Sequence, residues 1–407
     1  MTEQPTRLVG VSIPRSGHHY LAALLQALLG DDLSYCEFYS ASKCCSAIPC
    51  SAGTGARFTY QKGHDLDLSV PVDLPGAVYL VQFRDPVAQA LSDRELFVAA
   101  TGFTTPPTTD QYTHWLAGKA IYIARFAEKW LRHPLPNSIV IDYDRLLTET
   151  ADVLDEICHR IGANRTREAI ERVVAAESVM ARRPPTAPID PARTDATQPS
   201  SAFRSRRIED SPFYDRDLLA EYESVISARV PEMASKRHLS TRNTARSALS
   251  ALVEWAEATD VGDHGRATQV LHDALAQQPD HAYLHLAAGR HATTAGDSAA
   301  TLAAYERAGE LSPADPEILF LLADAYRASG ARERAVAVGR RIIAELPASA
   351  GHRLFHAVLL SEAALDRDSL EEVAAARRLG LTDPHQHELV RQVTQHATAR
   401  GVELPAT

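Results

Sequence analysis

The chain has 407 residues, 45% of them hydrophobic, which is too much chain for one ordinary hydrophobic core, so we expect two domains. The formal net charge of −10 argues against general binding to nucleic acids or anionic membranes, because both need basic surface. No apolar run reaches the roughly 20 residues of a membrane span, and the N-terminus lacks the pattern of a secretory signal. We therefore expect a cytoplasmic protein, and an odd total of five cysteines suits that reducing compartment.

The first half of the chain alternates short apolar runs with helical patterns. Near-continuous apolar runs, which strands of a parallel sheet require, occur at residues 7–13, 78–83 and 138–143. Helical patterns occupy residues 20–29, 87–100, 112–131 and 151–161. This alternation predicts an α/β domain over residues 1–235, with a parallel sheet flanked by helices. A Pro-rich stretch at 181–212 interrupts the pattern and is too long for an idle connector.

Residues beyond about 235 are rich in alanine and repeat with a period of 34 residues. Two kinds of punctuating residue recur at this interval: Gly262, Gly296 and Gly330, and Pro279, Pro313 and Pro347. A fixed period of this kind predicts helix-turn-helix units stacked in a solenoid. We predict three copies over residues 248–347 and a capping segment to about residue 397, which together form an all-α helical repeat domain over residues 236–407.

The third copy resembles the tetratricopeptide repeat family. The matching positions are Leu319, Leu322, Ala323, Tyr326, Ala335 and Pro347. Thr301 and Gly339 depart from the family pattern. A solenoid exposes a concave surface, so we expect this domain to bind a partner protein or to mediate self-association.

The stretch from Ser12 to Leu21, SIPRSGHHYL, lies where the first predicted strand passes into the first predicted helix. A glycine there lets the chain turn tightly and point several backbone N–H groups at one anion, and the helix N-terminus adds partial positive charge. Arg15 supplies a planar cation suited to phosphate or sulfate oxygens. The Walker A motif fits poorly, because His18 and His19 stand where Lys and Ser or Thr would hold phosphates and Mg²⁺.

This stretch resembles the first motif of the sulfotransferases that use 3′-phosphoadenosine 5′-phosphosulfate, approximately Pro-(Lys/Arg)-Ser-Gly-Thr-Thr. The resemblance implies a P-loop-like anion-binding loop for the 5′-phosphosulfate, formed by Pro14, Arg15, Ser16, Gly17, His18, His19 and Tyr20. It implies that Arg15 stabilises the bridging oxygen as the sulfuryl group leaves, and that no metal is required. Because His18 and His19 replace hydroxyl residues, imidazole N–H groups would have to make those contacts.

A second stretch, FRDPVAQALS, matches the 3′-phosphate motif of the same family. Arg84 follows the predicted strand 78–83, and Ser92 lies eight residues later. The resemblance implies that the Arg84 guanidinium binds the 3′-phosphate while the Ser92 hydroxyl donates a hydrogen bond to it.

Two weaker matches follow along the chain. Residues 138–147 resemble the family's strand followed by Tyr-(Glu/Asp)-x-Leu, although an ordinary strand entering a helix explains them equally well. Residues 203–207, FRSRR, resemble the late Phe-Arg-Lys-Gly segment but lack its glycine. This second match would place Arg204, Ser205 and Arg206 over the 3′-phosphate as an anion lid.

A third stretch, QKGHDLDL, begins about twenty residues before Arg84. Many sulfotransferases carry Lys-x-His here, so the resemblance makes Lys62 and His64 catalytic together with Arg15. His64 would remove the proton of an acceptor hydroxyl, and Asp65 or Asp67 would orient its imidazole. Glu37 remains a rival base.

The sequence thus predicts a sulfotransferase that transfers a sulfuryl group from 3′-phosphoadenosine 5′-phosphosulfate to a hydroxyl and releases adenosine 3′,5′-bisphosphate. A carbohydrate or a small metabolite is the favoured acceptor class, but its identity is left open, as is the oligomeric state. The alternatives are a P-loop-type kinase and an adaptor whose nucleotide-binding domain is inactive.

Four clustered cysteines have no assigned role. They are Cys36, Cys44, Cys45 and Cys50. Because no short Cys-x-x-Cys pair is present, structural thiols are favoured, disulfides come second and zinc comes last.

Overall fold

The computed structural model describes residues 5–38, 44–45, 47–51, 55–101, 108–181, 208–233, 239, 247–381 and 384–402. The chain forms two compact units. Unit 1 contains Met1–Thr108 and Trp115–Ala245, and unit 2 contains Thr109–His114 and Arg246–Thr407.

Unit 1 is built around a five-stranded parallel sheet. Its strands are β1 (Thr6–Ser12), β2 (Leu33–Glu37), β3 (Phe58–Gly63), β4 (Ala77–Phe83) and β5 (Ser138–Asp142). Their spatial order is β2-β3-β1-β4-β5, and every neighbouring pair is parallel. Parallel strands need crossover connections, and helices provide them here.

Seven helices accompany the sheet in chain order. They are α1 (His18–Leu29), α2 (Pro86–Thr101), α3 (Thr109–Trp130), α4 (Tyr143–Thr148), α5 (Thr150–Arg160), α6 (Arg167–Ala181) and α7 (Arg216–Arg229). Leu21 of α1, Leu154 of α5 and Ile170 of α6 share one buried cluster with Leu80 of β4. On the next residue of β4, which points to the opposite face, the Tyr79 ring lies 5.3 Å from the ring of Trp130 in α3. Both faces of the sheet are therefore covered, as the apolar strands predicted.

Strands β2 and β3 were not predicted, and their composition explains why. Their sequences, LSYCE and FTYQKG, contain polar residues, whereas a strand in the middle of a parallel sheet is expected to be apolar. Thr59, Gln61 and Lys62 of β3 are nevertheless all buried. Lys62 is paired with Glu37 of β2, and Gln61 bonds to the segment that follows β2, so tertiary partners compensate the burial of these groups.

Unit 2 contains nine described helices beyond residue 246. They are α8 (Ala248–Asp260), α9 (His264–Gln277), α10 (Ala282–Thr294), α11 (Ser298–Leu311), α12 (Pro316–Ala328), α13 (Arg332–Glu345), α14 (Ala350–Glu362), α15 (Asp366–Leu379) and α16 (Pro384–Ala399). Helices α8, α10, α12 and α14 start exactly one period of 34 residues apart, and so do α9, α11, α13 and α15. The parallel sheet with flanking helices followed by a helical repeat region confirms the predicted fold class.

The repeat extends further than its sequence marks indicate. We predicted three copies and a cap, but α14 and α15 form a fourth pair with the same spacing. Gly330, like the turn glycines of the two earlier pairs, has a positive φ of 79°, and the equivalent residue of the fourth pair is Ala364 with φ 60°. Leu381 stands where the other pairs have a closing proline. The fourth pair lost both marks while keeping the backbone path.

Among the described helices, none is both long enough and apolar enough to cross a membrane.

Candidate active site

The candidate site lies at the edge of the sheet where the strands of unit 1 end. Because all five strands are parallel, their carboxyl ends meet at one edge. The chain leaves β1 toward β2 on one side and later returns to build β4 and β5 on the other, so β1 and β4 flank the point at which the strand order reverses. Open α/β sheets form their ligand crevice at such a point.

The loop between β1 and α1 is tightly folded. Ile13 N–H donates to the Gln82 carbonyl (3.0 Å), and Ser16 N–H donates to the Ile13 carbonyl (3.3 Å). Arg15 and Gly17 both have positive φ values, 69° and 81°. Side chains with a Cβ rarely adopt this conformation, so the Arg15 backbone is strained in a way that functional loops commonly show.

Gly17 is required by its surroundings as well as by its φ. A Cβ at this position would lie 2.5 Å from the Tyr143 ring, at the start of α4. Tyr143 therefore packs directly on the loop and blocks any side chain at residue 17. The weak match at residues 138–147 thus contains a residue that shapes the site, which the sequence alone did not single out.

Two buried polar atoms of the loop region lack hydrogen-bond partners within the part of the chain that the structure describes: Ser16 Oγ and His18 Nε2. An unpaired buried polar atom costs about 1–3 kcal/mol, so such atoms usually serve a ligand or another functional purpose. Together with the N-terminus of α1, the loop fits the anionic group that its sequence predicts.

The two predicted phosphate motifs come together. Arg15 Nε donates to Ser92 Oγ (3.0 Å), and Arg84 Nη1 lies 3.5 Å from the Arg15 carbonyl oxygen. The Arg84 guanidinium also lies 4.6 Å from the centre of the Tyr143 ring. Burial lowers the pKa of Arg15 from its ordinary value, Asp93 raises it and Arg84 lowers it. Two adjacent, partly desolvated guanidinium groups favour an anion between or beside them.

Two glutamines hold the loop in place. Gln89 of α2 donates from Nε2 to the Pro14 carbonyl (2.9 Å), and Gln82 of β4 lies with its Nε2 3.4 Å from the Ser16 carbonyl. Both side chains are fully buried. Sequence reasoning missed them, because a glutamine within an apolar pattern gives no signal of what it bonds.

Ser12, the last residue of β1, connects two histidines. Its Oγ lies 2.9 Å from His18 Nδ1 and 3.0 Å from His64 Nδ1. The His18 and His64 rings are 4.2 Å apart, and the His18 and His19 rings are 4.5 Å apart. The sequence did not mark Ser12, although it stands directly before the loop.

The contacts of His64 fix which ring nitrogen can accept a proton. Its Nδ1 lies 3.1 Å from the Ser12 carbonyl oxygen, which can only accept, so Nδ1 carries the hydrogen and Nε2 carries the lone pair. Burial lowers the pKa of His64 to about 4, with Lys62 and His19 lowering it further and the Ser12 hydrogen bond acting against them. His64 is therefore neutral at physiological pH.

Lys62 lies deep in the sheet, with only 3% of its side chain exposed. Its Nζ donates to Glu37 Oε1 (2.6 Å) and lies 3.2 Å from His19 Nδ1. The pair joins the carboxyl ends of β2 and β3, where Glu37 and Lys62 are in register. The rival base Glu37 is thus held in an ion pair.

Neither aspartate orients His64. The Asp65 carboxylate accepts from Lys129 Nζ, Trp130 Nε1 and the Val70 N–H, each at 2.8 Å, whereas Asp67 bonds to Ser69. The expectation that Asp65 or Asp67 orients the imidazole is wrong, because both carboxylates are used by the turn that follows β3. Ser12 takes that place, and the Tyr122 hydroxyl donates to the His64 carbonyl (2.7 Å).

Two groups of predicted residues do not contribute side chains to this cluster. The Tyr20 side chain is buried in the hydrophobic core of unit 1, so any contact with an anion would come from its backbone. Arg204, Ser205 and Arg206 lie outside the described residues.

Comparisons with known proteins place no family name on the chain. No family model matches it, and no curated protein matches its sequence. The solved structures that resemble it include mouse sulfotransferase SULT7A1 complexed with PAP, with 14% identity, a TM-score of 0.43, and coverage of 56% of this chain and 86% of that one. Another, described as MamA MSR-1 C2, has 14% identity, a TM-score of 0.30, and coverage of 39% and 88%. Because identities and TM-scores are low, neither likeness is evidence for this chain's activity.

Proposed function

We propose that the chain is a sulfotransferase that moves a sulfuryl group from 3′-phosphoadenosine 5′-phosphosulfate to an acceptor hydroxyl. Its catalytic domain would be residues 1–235. One observation carries the proposal: the loop residue Arg15 and the distant residues Arg84 and Ser92 adjoin each other at the carboxyl edge of the sheet. These are the residues that the two sequence motifs assign to the two charged ends of the donor.

The donor set suits this cosubstrate chemically. Arg15, Ser16 and the backbone at the start of α1 would hold the phosphosulfate, and Arg84 with Ser92 would hold the 3′-phosphate. Ser16 Oγ, buried without a partner among the described residues, supplies an unused hydroxyl donor at the expected position. The donor itself provides the reactive sulfuryl group, so the protein has to position and stabilise it.

The proposed reaction is an in-line displacement. The acceptor oxygen forms a bond to sulfur, while the bond from sulfur to the 5′-phosphate oxygen breaks and leaves its electron pair on adenosine 3′,5′-bisphosphate. Arg15 stabilises the negative charge that develops on that oxygen. The acceptor proton passes to Nε2 of His64 and then to solvent.

His64 is a better base than Glu37 in this arrangement. Its Nε2 carries the lone pair because Nδ1 bonds to Ser12, whereas the Glu37 carboxylate is paired with Lys62. The low pKa of free His64 makes it a weak base, but a multiply charged anion bound nearby would raise that pKa toward the working range.

The repeats of unit 2 would serve recognition. We propose that residues 236–407 bind a partner protein, present an acceptor carried on a larger molecule, or mediate self-association, as stacked helical repeats do.

Calorimetry of the full chain tests the nucleotide assignment. Adenosine 3′,5′-bisphosphate should bind more tightly than 5′-AMP, and Arg84→Ala should remove that preference because the 3′-phosphate loses its guanidinium. Equal affinity for both nucleotides in the unaltered chain would contradict the proposal. Binding of ATP that requires Mg²⁺ would favour the kinase instead.

Transfer of labelled sulfate from the donor to a panel of hydroxyl acceptors tests the activity. The panel should contain carbohydrates, small phenols and alcohols, and tyrosine peptides. Bisphosphate binding without transfer to any acceptor, combined with partner binding that survives His64→Ala, would favour the adaptor.

A further inference from the structure

Three cysteine sulfurs meet beside the carboxyl end of β2. Cys36 belongs to β2, and Cys45 and Cys50 belong to the segment that follows it. The sulfur of Cys45 lies 3.8 Å from that of Cys36 and 3.5 Å from that of Cys50, and all three lie within 4.8 Å of one another. Cys36 is buried, and the other two are partly buried.

These separations differ from those of a disulfide and approach those of a metal site. A disulfide requires sulfurs about 2.05 Å apart, and none of the five cysteines, all in described segments, forms one. Zn–S bonds of about 2.3 Å in tetrahedral geometry place ligand sulfurs roughly 3.8 Å apart. The two measured contacts of Cys45 are within a few tenths of an ångström of this value.

A buried amide supports the cluster from behind. Gln61 of β3 accepts from the Cys50 N–H through Oε1 (2.9 Å) and donates from Nε2 to the Ala47 carbonyl (2.7 Å). These bonds fix the backbone between Cys45 and Cys50 against the sheet. Metal sites typically depend on such outer hydrogen bonds to orient their ligands.

The thiols also differ in acidity in a way that suits a cation. Burial raises the pKa of Cys45, but hydrogen bonds with the Ser51 and Ala47 backbone and with Cys50 outweigh it and lower that pKa to about 6. Burial raises the pKa of Cys36 to about 12. Cys45 is thus a thiolate at neutral pH, while Cys36 needs a nearby positive charge to lose its proton.

We propose that Cys36, Cys45 and Cys50 bind one zinc ion through three thiolates, with the fourth position taken by water or by a small exogenous ligand. Thiolate sulfur selects soft cations such as zinc over magnesium or calcium. The sequence ranked zinc last because it lacks a Cys-x-x-Cys pair, but here a strand and a loop supply the ligands, so their spacing along the chain follows no short motif. The inference is independent of the proposed transferase activity.

The site would have a structural consequence for unit 1. Cys36 precedes Glu37, and Gln61 precedes Lys62, so the ion would tie the segment after β2 to the two strands that carry this ion pair. Removing the ion should loosen that segment while leaving the rest of the sheet folded.

The test is zinc binding by the full chain purified under reducing conditions. We expect one equivalent of zinc to remain after dialysis, and cobalt in its place to give the thiolate-to-metal charge-transfer absorption of a tetrahedral sulfur site. Cys45→Ser and Cys50→Ser should each weaken zinc affinity by more than about 100-fold, beyond the effect of losing an outer-shell partner. Gln61→Ala should weaken it by roughly 10- to 100-fold.

Cys158→Ser is the matched control, because this thiol is buried in the hydrophobic core of unit 1; it should bind zinc as the unaltered chain does. Cys36→Ser may be left aside if it does not fold, since the two partly buried ligands and the cobalt spectrum decide the question. Absence of zinc and cobalt uptake by the reduced chain would overturn the proposal, as would uptake that survives both Cys45→Ser and Cys50→Ser. A Cys45–Cys50 disulfide that persists under reducing conditions would also overturn it.

Discussion

Units 1 and 2 both contain residues in the left-handed conformation, but for different reasons. At Gly330 in unit 2, nothing lies within 4 Å of where a Cβ would stand, and the equivalent Ala364 adopts a similar φ. At Gly17 in unit 1, a Cβ would collide with the Tyr143 ring. The repeat turn needs only a backbone conformation, whereas the loop needs the conformation and the space.

This contrast extends to how each unit is assembled. In unit 2 the helices recur at a fixed interval, so neighbours in space are neighbours in sequence. In unit 1 the candidate site joins Ser12 to His64 and Arg15 to Ser92, residues separated by more than fifty positions. A substitution in a repeat should therefore cause a limited loss of stability, while one at the convergent site should abolish a function.

The largest effect should come from His64→Ala. If Nε2 accepts the hydroxyl proton, kcat should fall by roughly 10²- to 10⁴-fold, while the affinity for adenosine 3′,5′-bisphosphate stays the same. Steady-state kinetics and calorimetry measure the two quantities. The exposed His133→Ala is the control, and near-normal turnover in His64→Ala would remove His64 as the base.

The same residue predicts a pH profile. Protonated His64 cannot act as a base, and burial lowers its pKa to about 4, so kcat/KM should stay level as pH falls from 7 to about 5 and drop only near pH 4. A decline centred near the ordinary histidine value of about 6.5 would show that His64 is not held in this environment.

Gly17→Ala should come next in size. The collision with Tyr143 would displace the loop, and misplacement of a binding group by about 1 Å can cost 100-fold, so bisphosphate affinity should fall by about that factor. Gly162→Ala is the matched control within unit 1, since Gly162 is also left-handed (φ 67°) but has nothing within 4 Å of its Cβ position. If both variants bind equally well, the loop does not hold the nucleotide.

The smallest effect should be a gain in stability from Ala364→Gly. Left-handed backbone costs a residue with a Cβ about 1–2 kcal/mol, and glycine gives part of that back through its flexible unfolded state, so the net gain should be up to about 1 kcal/mol. Gly330→Ala should lose a similar amount. Urea midpoints followed by circular dichroism measure both, and a destabilised Ala364→Gly would contradict the relaxed turn.

The sequence by itself determined the features that depend on local pattern. Apolar runs marked β1, β4 and β5, and the 34-residue interval marked the repeats, because strand burial and helix stacking leave a periodic record in the chain. The loop from Pro14 to His19 and the Arg84 and Ser92 pair were visible as motifs. Even there, the fourth repeat escaped notice, since Ala364 and Leu381 carry none of the usual marks.

Only the tertiary structure decided what the polar residues do. Strands β2 and β3 are buried in spite of Gln61 and Lys62, because partners from elsewhere in the chain satisfy those groups. Ser12, rather than a neighbouring aspartate, fixes the tautomer of His64. A hydrogen bond depends on distance and direction in space, and a parallel sheet brings together strand ends that are far apart in sequence, so no reading along the chain could have assigned these partners.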